Sequence, residues 1–448
     1  MYSNALKTLL LFNCILFLTS CTKDKTTDLD HRLDEILLSV SGGIGKSFFK
    51  LPQSSDFTNI PQDPKNPLSS DKVKLGKYLF HETGLSNKPK LTIGQGTYSC
   101  ASCHHANAGF QANMAQGIGE GGWGYGIAGE SRSVNSSYID DSIDVQPIRT
   151  PAALNTAYQK VMLWNGQFGA TGPNSNTQPQ WTSGSPKEDN HLGYEGVETQ
   201  AIAGLKVHRM IVDTSFIFNN GYKALFDAAF AHLPTEQRYT RETAGLAIAA
   251  YERTLLANQS PFQQWLNGDL NAMTQEEKEG AILFFGKAEC AQCHTGPALS
   301  SMEFYALGCK DLVGNGFYGL TTQNKADAAK GRGGFTGDAT DMYKFKVSQL
   351  YNLLNSPFYG HGASFGSVQE ILIYKNQAVS ENATVPNTQL ASEFKPLGLS
   401  TDEITAISKF IETSLLDRNL NRYVPNSLPS GNCIINADGQ SKIDLGCN

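Results

Sequence analysis

The chain has 448 residues, 40% hydrophobic and 17% charged, the proportions of a globular protein with room for two or three domains. A formal net charge of −6 and no evident basic cluster argue against a nucleic-acid partner, while a mildly acidic chain suits a basic electron-transfer partner. With 43 glycines, long irregular connections are expected and little regular strand.

The N-terminus addresses the compartment. Lys7 precedes an apolar run over residues 9–18, too short to span a bilayer as a helix. Leu18-Thr19-Ser20-Cys21 follows and is similar to a bacterial lipobox. Residues 1–20 are therefore expected to be a lipoprotein signal peptide, with Cys21 the acylated mature N-terminus. The expected location is the bacterial cell envelope, in the periplasm and lipid-anchored, with the outer membrane favoured. Residues 22–30 are polar and charged, as a flexible tether would be.

In chain order, residues 28–40 put Leu29, Leu33, Ile36 and Leu37 on one helical face. Residues 51–67 read as loop, and Ser70 is expected to cap a helix through Phe80. Residues 117–129 and 170–193 are glycine-rich or rich in Gly, Pro, Asn and Ser, and read as loops. Residues 199–210 and 242–258 read as helices. Thr274 with Glu277 forms a capping box that opens another. Thr401-Asp402-Glu403-Ile404 opens the last, to about residue 416, and beyond Pro425 the tail reads as loop. LGKYLF at 75–80 and GAILFF at 280–285 are two copies of one helical pattern, and a boundary falls near 258–268.

Each copy precedes a Cys-x-x-Cys-His motif: Cys100-Ala101-Ser102-Cys103-His104 and Cys290-Ala291-Gln292-Cys293-His294. Cysteines at i and i+3 lie on one face of a helical turn, so both sulfurs can bond the vinyl groups of one haem, and the adjoining histidine can ligate its iron. A zinc site made from the two cysteine pairs does not explain why a histidine follows each pair. Two covalent c-type haems are expected. Of the other cysteines, Cys433 and Cys447 bracket a short polar segment and are expected to pair, since an exported compartment permits disulfides. Cys309 is left as a lone thiol, expected to be buried rather than reactive.

From about residue 66 to 447 the chain resembles the bacterial di-haem cytochrome c peroxidases and their MauG-type relatives. The resemblance rests on LGKYLFHETGLS, IRTPAALN followed by LWNGQF, MTQEEKEGAILFF, CAQCHTGPALS and TGDATDMYKFKVSQLYNLLNSPFYGHGASF. It implies a mainly α fold of two cytochrome c-like helical domains with long loops, each holding one covalent haem. The N-terminal domain would span 66–258 and the C-terminal one 259–425, preceded by a tether and extension over 21–65 and followed by a tail over 426–448. It also implies that His104 ligates the peroxidatic haem, that His294 ligates the electron-transfer haem, and that Trp164 stands between them as an electron relay.

Several positions depart from the family. Where the well-known peroxidases carry a distal histidine, this chain has Glu120, a poor haem ligand in a glycine-rich loop. The first iron is therefore expected to be five-coordinate or to hold water, with Glu120 either near it or simply solvated. Gln200 matches the family's distal glutamine. The glutamate region reads Lys206-Val207-His208-Arg209-Met210, one residue short and without a carboxylate. His208 is the candidate acid–base group and Arg209 the candidate charge stabiliser. Adjacent helical residues point about 100° apart, so both serve one site only if the backbone turns there; otherwise His208 packs and Arg209 takes a haem propionate. For the second iron the register points to Lys375, with Tyr374 beside it and slightly preferred. Met302 and Met342 remain alternatives, and His361 is either near that haem or structural. Arg149 replaces the asparagine expected at the family's calcium site, and a guanidinium is donor-only, which leaves calcium open.

The reading that follows is a peroxidase reducing hydrogen peroxide to water with electrons from a small cytochrome c or copper protein. A MauG-like oxidase acting on a protein or small substrate is the second reading, and a non-catalytic electron-transfer lipoprotein the third. Dimerisation, common among such relatives, is left open.

Overall fold

The computed structural model describes residues 28–312 and 325–447. The expected signal peptide, the Cys21 anchor and the first residues of the tether lie outside the described residues. The rest is helical with little sheet.

Residues 28–40 form α1, and Leu29, Leu33 and Leu37 of its apolar face are buried. This helix docks on the C-terminal half. Asp30 accepts from the Trp265 indole Nε1–H at 2.7 Å and pairs with Lys278 at 2.7 Å. The N-terminal extension is thus more than a tether, because its helix is anchored by a buried ion pair.

The first half is built on α2 (Ser70–His81), α3 (Gly196–Val207), α4 (Thr214–Asn219), α5 (Lys223–Ala229) and α6 (Arg241–Arg253). The cap of α2 is Ser69 rather than Ser70; its hydroxyl accepts the Lys72 N–H. α6 ends at Arg253, short of the expected 258, because Asn155 captures the chain beyond it: Asn155 N–H donates to the Leu255 carbonyl and its side-chain oxygen accepts from Ala257 N–H. Helix α2 crosses α6 at Gly76, where an added Cβ would lie 1.8 Å from the Ala247 carbonyl oxygen. Only a glycine admits that approach.

The second half repeats the device. It comprises α7 (Pro261–Leu266), α8 (Gln275–Phe285), α9 (Lys325–Ala329), α10 (Arg332–Thr336), α11 (Val368–Gln377) and α12 (Thr401–Lys409), which a π turn at Phe410–Ser414 continues. The Thr274–Glu277 capping box is formed, and a second box joins Ser400 to Glu403. α8 crosses α12 at Gly280, where a Cβ would meet the Ala406 carbonyl oxygen at 2.0 Å. Gly76 and Gly280 each stand three residues before a Leu-Phe pair, Leu79-Phe80 and Leu283-Phe284, so the repeat aligned on that pair encodes a helix-crossing point. One continuous hydrophobic core runs through both halves.

The only regular sheet among the described residues is two antiparallel pairs: β1 (Gly122–Trp123) with β2 (Ser133–Val134), and β3 (Phe304–Tyr305) with β4 (Phe345–Lys346). The tail beyond residue 425, expected as loop, contains α13 (Gly439–Leu445), capped by Asp438. The expected Cys433–Cys447 disulfide is formed. The tail lies against the first Cys-x-x-Cys-His turn: Ser99 and Ser102 donate to the Ile435 carbonyl at 2.9 and 3.1 Å. No helix among the described residues is long and apolar enough to cross a membrane.

Candidate haem sites

Both Cys-x-x-Cys-His motifs fold into the same local structure. Cys100–Ser102 and Cys290–Gln292 are single helical turns, closed by His104 N–H to the Cys100 carbonyl (3.1 Å) and His294 N–H to the Cys290 carbonyl (2.8 Å). Each turn puts two thiols and an imidazole together. His104 Nδ1–H donates to the Phe110 carbonyl at 3.3 Å, and His294 Nδ1–H donates to the Leu299 and Ser348 carbonyls, both at 3.1 Å. A carbonyl can only accept, so Nδ1 carries the proton and Nε2 is the free ligand atom. Burial lowers the pKa of both imidazoles, that of His104 to about 4, which keeps them neutral. Phe110 and Leu299 both have left-handed backbones, with φ of 56° and 47°. A non-glycine residue held there costs ~1–2 kcal/mol, and in both turns the strained residue is the one whose carbonyl holds the imidazole. Two thiols, a tautomer-locked histidine and a buried surround fit a covalently held haem at each motif.

Beside the first motif lies a charged network. Helix α3 stops in a Schellman turn: Arg209 N–H bonds the Lys206 carbonyl and Met210 N–H the Leu205 carbonyl, with Arg209 at φ 54°. The backbone turn needed to bring His208 and Arg209 to one site is therefore present, with an arginine in a place that favours glycine. His208 Nδ1 lies 2.8 Å from Asp144 Oδ2, and Arg209 Nη2 is 3.3 Å from the same oxygen. Arg209 Nε donates to Glu120 Oε2 at 2.7 Å. Burial draws the His208 pKa down, but the Asp144 carboxylate outweighs it and the net shift is upward. His208 is close enough to His104 to disfavour a charge there.

Glu120 is fully buried, which corrects the expectation that it could be a solvated loop carboxylate. It also accepts from Leu91 N–H (3.0 Å) and Tyr138 Oη–H (3.3 Å), so its oxygens are committed to these donors and to Arg209. Gln200 lies half-buried on α3 two turns before His208, over Gly204, and outside this network. Asp144 was not among the residues singled out from the sequence. It lies in the loop after β2, far along the chain from His208, and no local pattern marks it.

The second motif opens on a cavity of about 310 Å³. Cys290, Cys293 and His294 line it, as do Tyr374, Lys375, Cys309, His361 and Trp164, whereas Met302 and Met342 are absent from its wall. Tyr374 Oη–H donates to the Leu307 carbonyl at 2.5 Å and Lys375 Nζ to the Glu393 carbonyl at 2.7 Å, so each candidate ligand already has a partner. The Cys309 thiol is pushed up to about 12 by burial, an unreactive state. Trp164 donates its Nε1–H to the Arg149 carbonyl at 2.9 Å and meets the His361 ring edge-on. His361 stacks on Phe345 with centroids 3.6 Å apart, and its Nε2 lies 3.0 Å from Asp311 Oδ1.

Arg149 is buried on the wall of the second motif's cavity. Its guanidinium donates to the Met114 carbonyl (2.8 Å), Gln111 Oε1 (3.0 Å) and Ser356 Oγ (2.7 Å). A cationic side chain holding these oxygens does not fit a calcium ion at the same place.

A mostly helical chain with two such turns carries the donor sets that a c-type di-haem protein requires. Residues 70–271 match the model of the di-haem cytochrome c peroxidase family. The chain is 27% identical to a methylamine utilization protein MauG of Methylorubrum extorquens over 82% of this chain and 83% of that one. It is 29% identical to a cytochrome-c peroxidase, IdrP1, of Denitromonas iodatirespirans, covering 81% and 86%. To the cytochrome c551 peroxidase of Nitrosomonas europaea it is 28% identical, covering 78% and 80%. Among solved structures, a MauG-like protein associated with microbial copper homeostasis superposes with a TM-score of 0.56 at 22% identity, covering 83% of this chain and 95% of that one; this likeness concerns the fold.

Proposed function

We propose that the protein is a di-haem c-type peroxidase that reduces hydrogen peroxide to water at the first haem, with electrons entering through the second from a small cytochrome c or copper protein. One peroxide takes two electrons and two protons to give two waters. The observation that carries this reading is the His208–Asp144 pair, 2.8 Å apart and beside His104, with Arg209 on the same carboxylate. The haem held by Cys100, Cys103 and His104 would supply the iron that binds peroxide and delivers electrons to it. Asp144 holds the Nδ1–H of His208 and so directs Nε2 as the proton acceptor. Nε2 takes the proton of the inner peroxide oxygen and returns it to the outer one, which leaves as water. The Arg209 guanidinium, fixed by Glu120, favours the negative charge that develops as the O–O bond breaks.

In this reading 66–258 and 259–425 are the two haem domains, with the 426–448 tail folded back on the first. Glu120 is bound to Arg209 and not free to ligate, so a haem held at His104 would be open to peroxide without prior loop movement. Electrons would reach the first site from a haem held by Cys290, Cys293 and His294 by way of Trp164, and Tyr374 or Lys375, both on that cavity's wall, would supply the second iron's remaining ligand on giving up its carbonyl partner. The Cys21 anchor would hold the enzyme in the periplasm. The relatives named MauG favour a second reading, in which the oxidised di-haem state acts on a protein or small substrate.

Stopped-flow mixing of peroxide with the diferric and half-reduced protein, following the Soret band, tests both. A fast change in the diferric form is expected. Turnover with a reduced small cytochrome then supports the peroxidase, and turnover only with another substrate favours the MauG-like reading. No change in either form would overturn both.

A further inference from the structure

Two buried cations line the cavity of the second motif without an acidic partner. Lys346, on β4, donates Nζ–H to the Val161 carbonyl at 2.7 Å and also to Gln159 Oε1. Arg149 gives its N–H groups to three neutral oxygens. Among the described residues neither meets a carboxylate within ion-pair distance, unlike the buried Arg253, which meets Glu198 at 2.7 Å, or the buried Lys278, which meets Asp30. A buried cation held only by neutral oxygens is strongly disfavoured. Burial accordingly pulls the Lys346 ammonium down to about 7 and Arg149 to about 9. Gln111 Nε2, buried beside Arg149 and on the same cavity, has no hydrogen-bond partner.

We infer that Arg149 and Lys346, assisted by Gln111 Nε2, hold the two propionate carboxylates of the haem bound at Cys290 and Cys293, and that their charge raises that haem's reduction potential. This rests on the haem assignment made above. A haem brings two carboxylates into one cavity, and this cavity presents two cations that lack them. The backbones of the same two residues hold Trp164: the Arg149 carbonyl accepts its indole N–H, and the Lys346 amide N–H donates to the Trp164 carbonyl at 2.8 Å. The anchor of the haem edge and the anchor of the relay are therefore the same two residues. The ferrous haem carries one positive charge fewer than the ferric, so a nearby cation favours the reduced form.

The test is a spectroelectrochemical titration of the full-length holoprotein and of Lys346→Gln and Arg149→Gln, with the two haems resolved by their spectra. Each substitution is expected to shift the second haem's equilibrium about tenfold toward ferric, ~59 mV for one electron, with little effect on the first haem. Lys346→Arg should stay within twofold of wild type. Unmoved potentials in both Gln variants, or a shift confined to the first haem, would overturn the inference. Should the Gln variants fail to accumulate, resonance Raman of Lys346→Arg and Arg149→Lys decides: a displaced propionate-bending band supports the anchor and an unmoved band sinks it. The haem assignment fails separately, if mass spectrometry of the wild type finds no haem on the Cys290–Cys293 peptide.

Discussion

Around Cys100–His104 the neighbouring side chains form a chain of alternating charges, Glu120–Arg209–Asp144–His208. Around Cys290–His294 they form a cavity lined largely by aromatic and apolar side chains, with two buried cations, Arg149 and Lys346, held only by neutral oxygens. The attachment turns themselves are nearly superimposable in design, down to the left-handed residue that holds each imidazole. Under the proposed function, what separates a site that moves protons from one that passes electrons is therefore not the metal-binding motif but the charge of what surrounds it. A proton-transfer site needs a base with a fixed tautomer and a ready counter-charge. An electron-transfer site needs a rigid, mostly apolar wall and a set potential.

The sharpest way to break that comparison is to remove the base. His208→Ala should lower kcat/KM for peroxide by ~10²–10⁴, with both haems attached and the second haem's potential unchanged. A fall below threefold would show that the charged network is structural.

The next effect comes from the tail, which packs against the first site. Replacing Cys433 and Cys447 with serine opens a cross-link over a separation of 14 residues, for which a loss of about 3 kcal/mol is expected. Because Ser99 and Ser102 lean on Ile435, limited proteolysis and thermal melts should show the first haem's spectrum lost before the second's. Simultaneous loss would mean that the halves unfold as one unit, as their continuous core would allow.

Gly76→Ala and Gly280→Ala test the repeat itself. Each forces a methyl against a carbonyl oxygen of the crossing helix, and overpacking of this kind costs ~1–3 kcal/mol. The two losses should agree to within about a kcal/mol when measured by denaturant unfolding. A large inequality would mean that one crossing relaxes and the modules are not equivalent.

The parts of this molecule legible in the sequence are those with local chemistry. The attachment turns, the Thr274 cap and the apolar stripe of α1 need only a few neighbouring residues to be recognised. The Schellman turn at Arg209 was visible only as a requirement, since arginine is not the residue that position prefers. Asp144, and the burial of Glu120, arise from contacts across 64 and 89 positions of chain, which no periodicity reveals. The same holds for the crossed termini: α1 sits on the second half and the tail on the first. Both ends looked like appendages because their own patterns are short, and their stability comes from partners far along the chain.

The smallest expected effect separates the role of Asp144 from that of His208. Burial lowers the imidazole's pKa and Asp144 more than restores it, so the folded value stands above the ordinary one of 6.5. Nε2 can accept a proton only when the ring is neutral. Peroxide reduction in the wild type should therefore decline as the pH falls through this raised pKa. Asp144→Asn removes the raising influence and leaves the burial, so the acid limb of the kcat/KM profile should move to lower pH. The rate on the alkaline plateau should fall by ~10-fold, as the tautomer is held less firmly. The linkage runs the same way: a raised histidine pKa stabilises the fold below the unfolded value of 6.5, and that stabilisation is lost as the pH rises through the folded pKa. Asp144→Asn should therefore be closer to wild-type stability at pH 8 than at pH 5.5. If the acid limb stays in place while the plateau drops, Asp144 acts through Arg209 and not through the imidazole, and the proton circuit would have to be redrawn around the guanidinium.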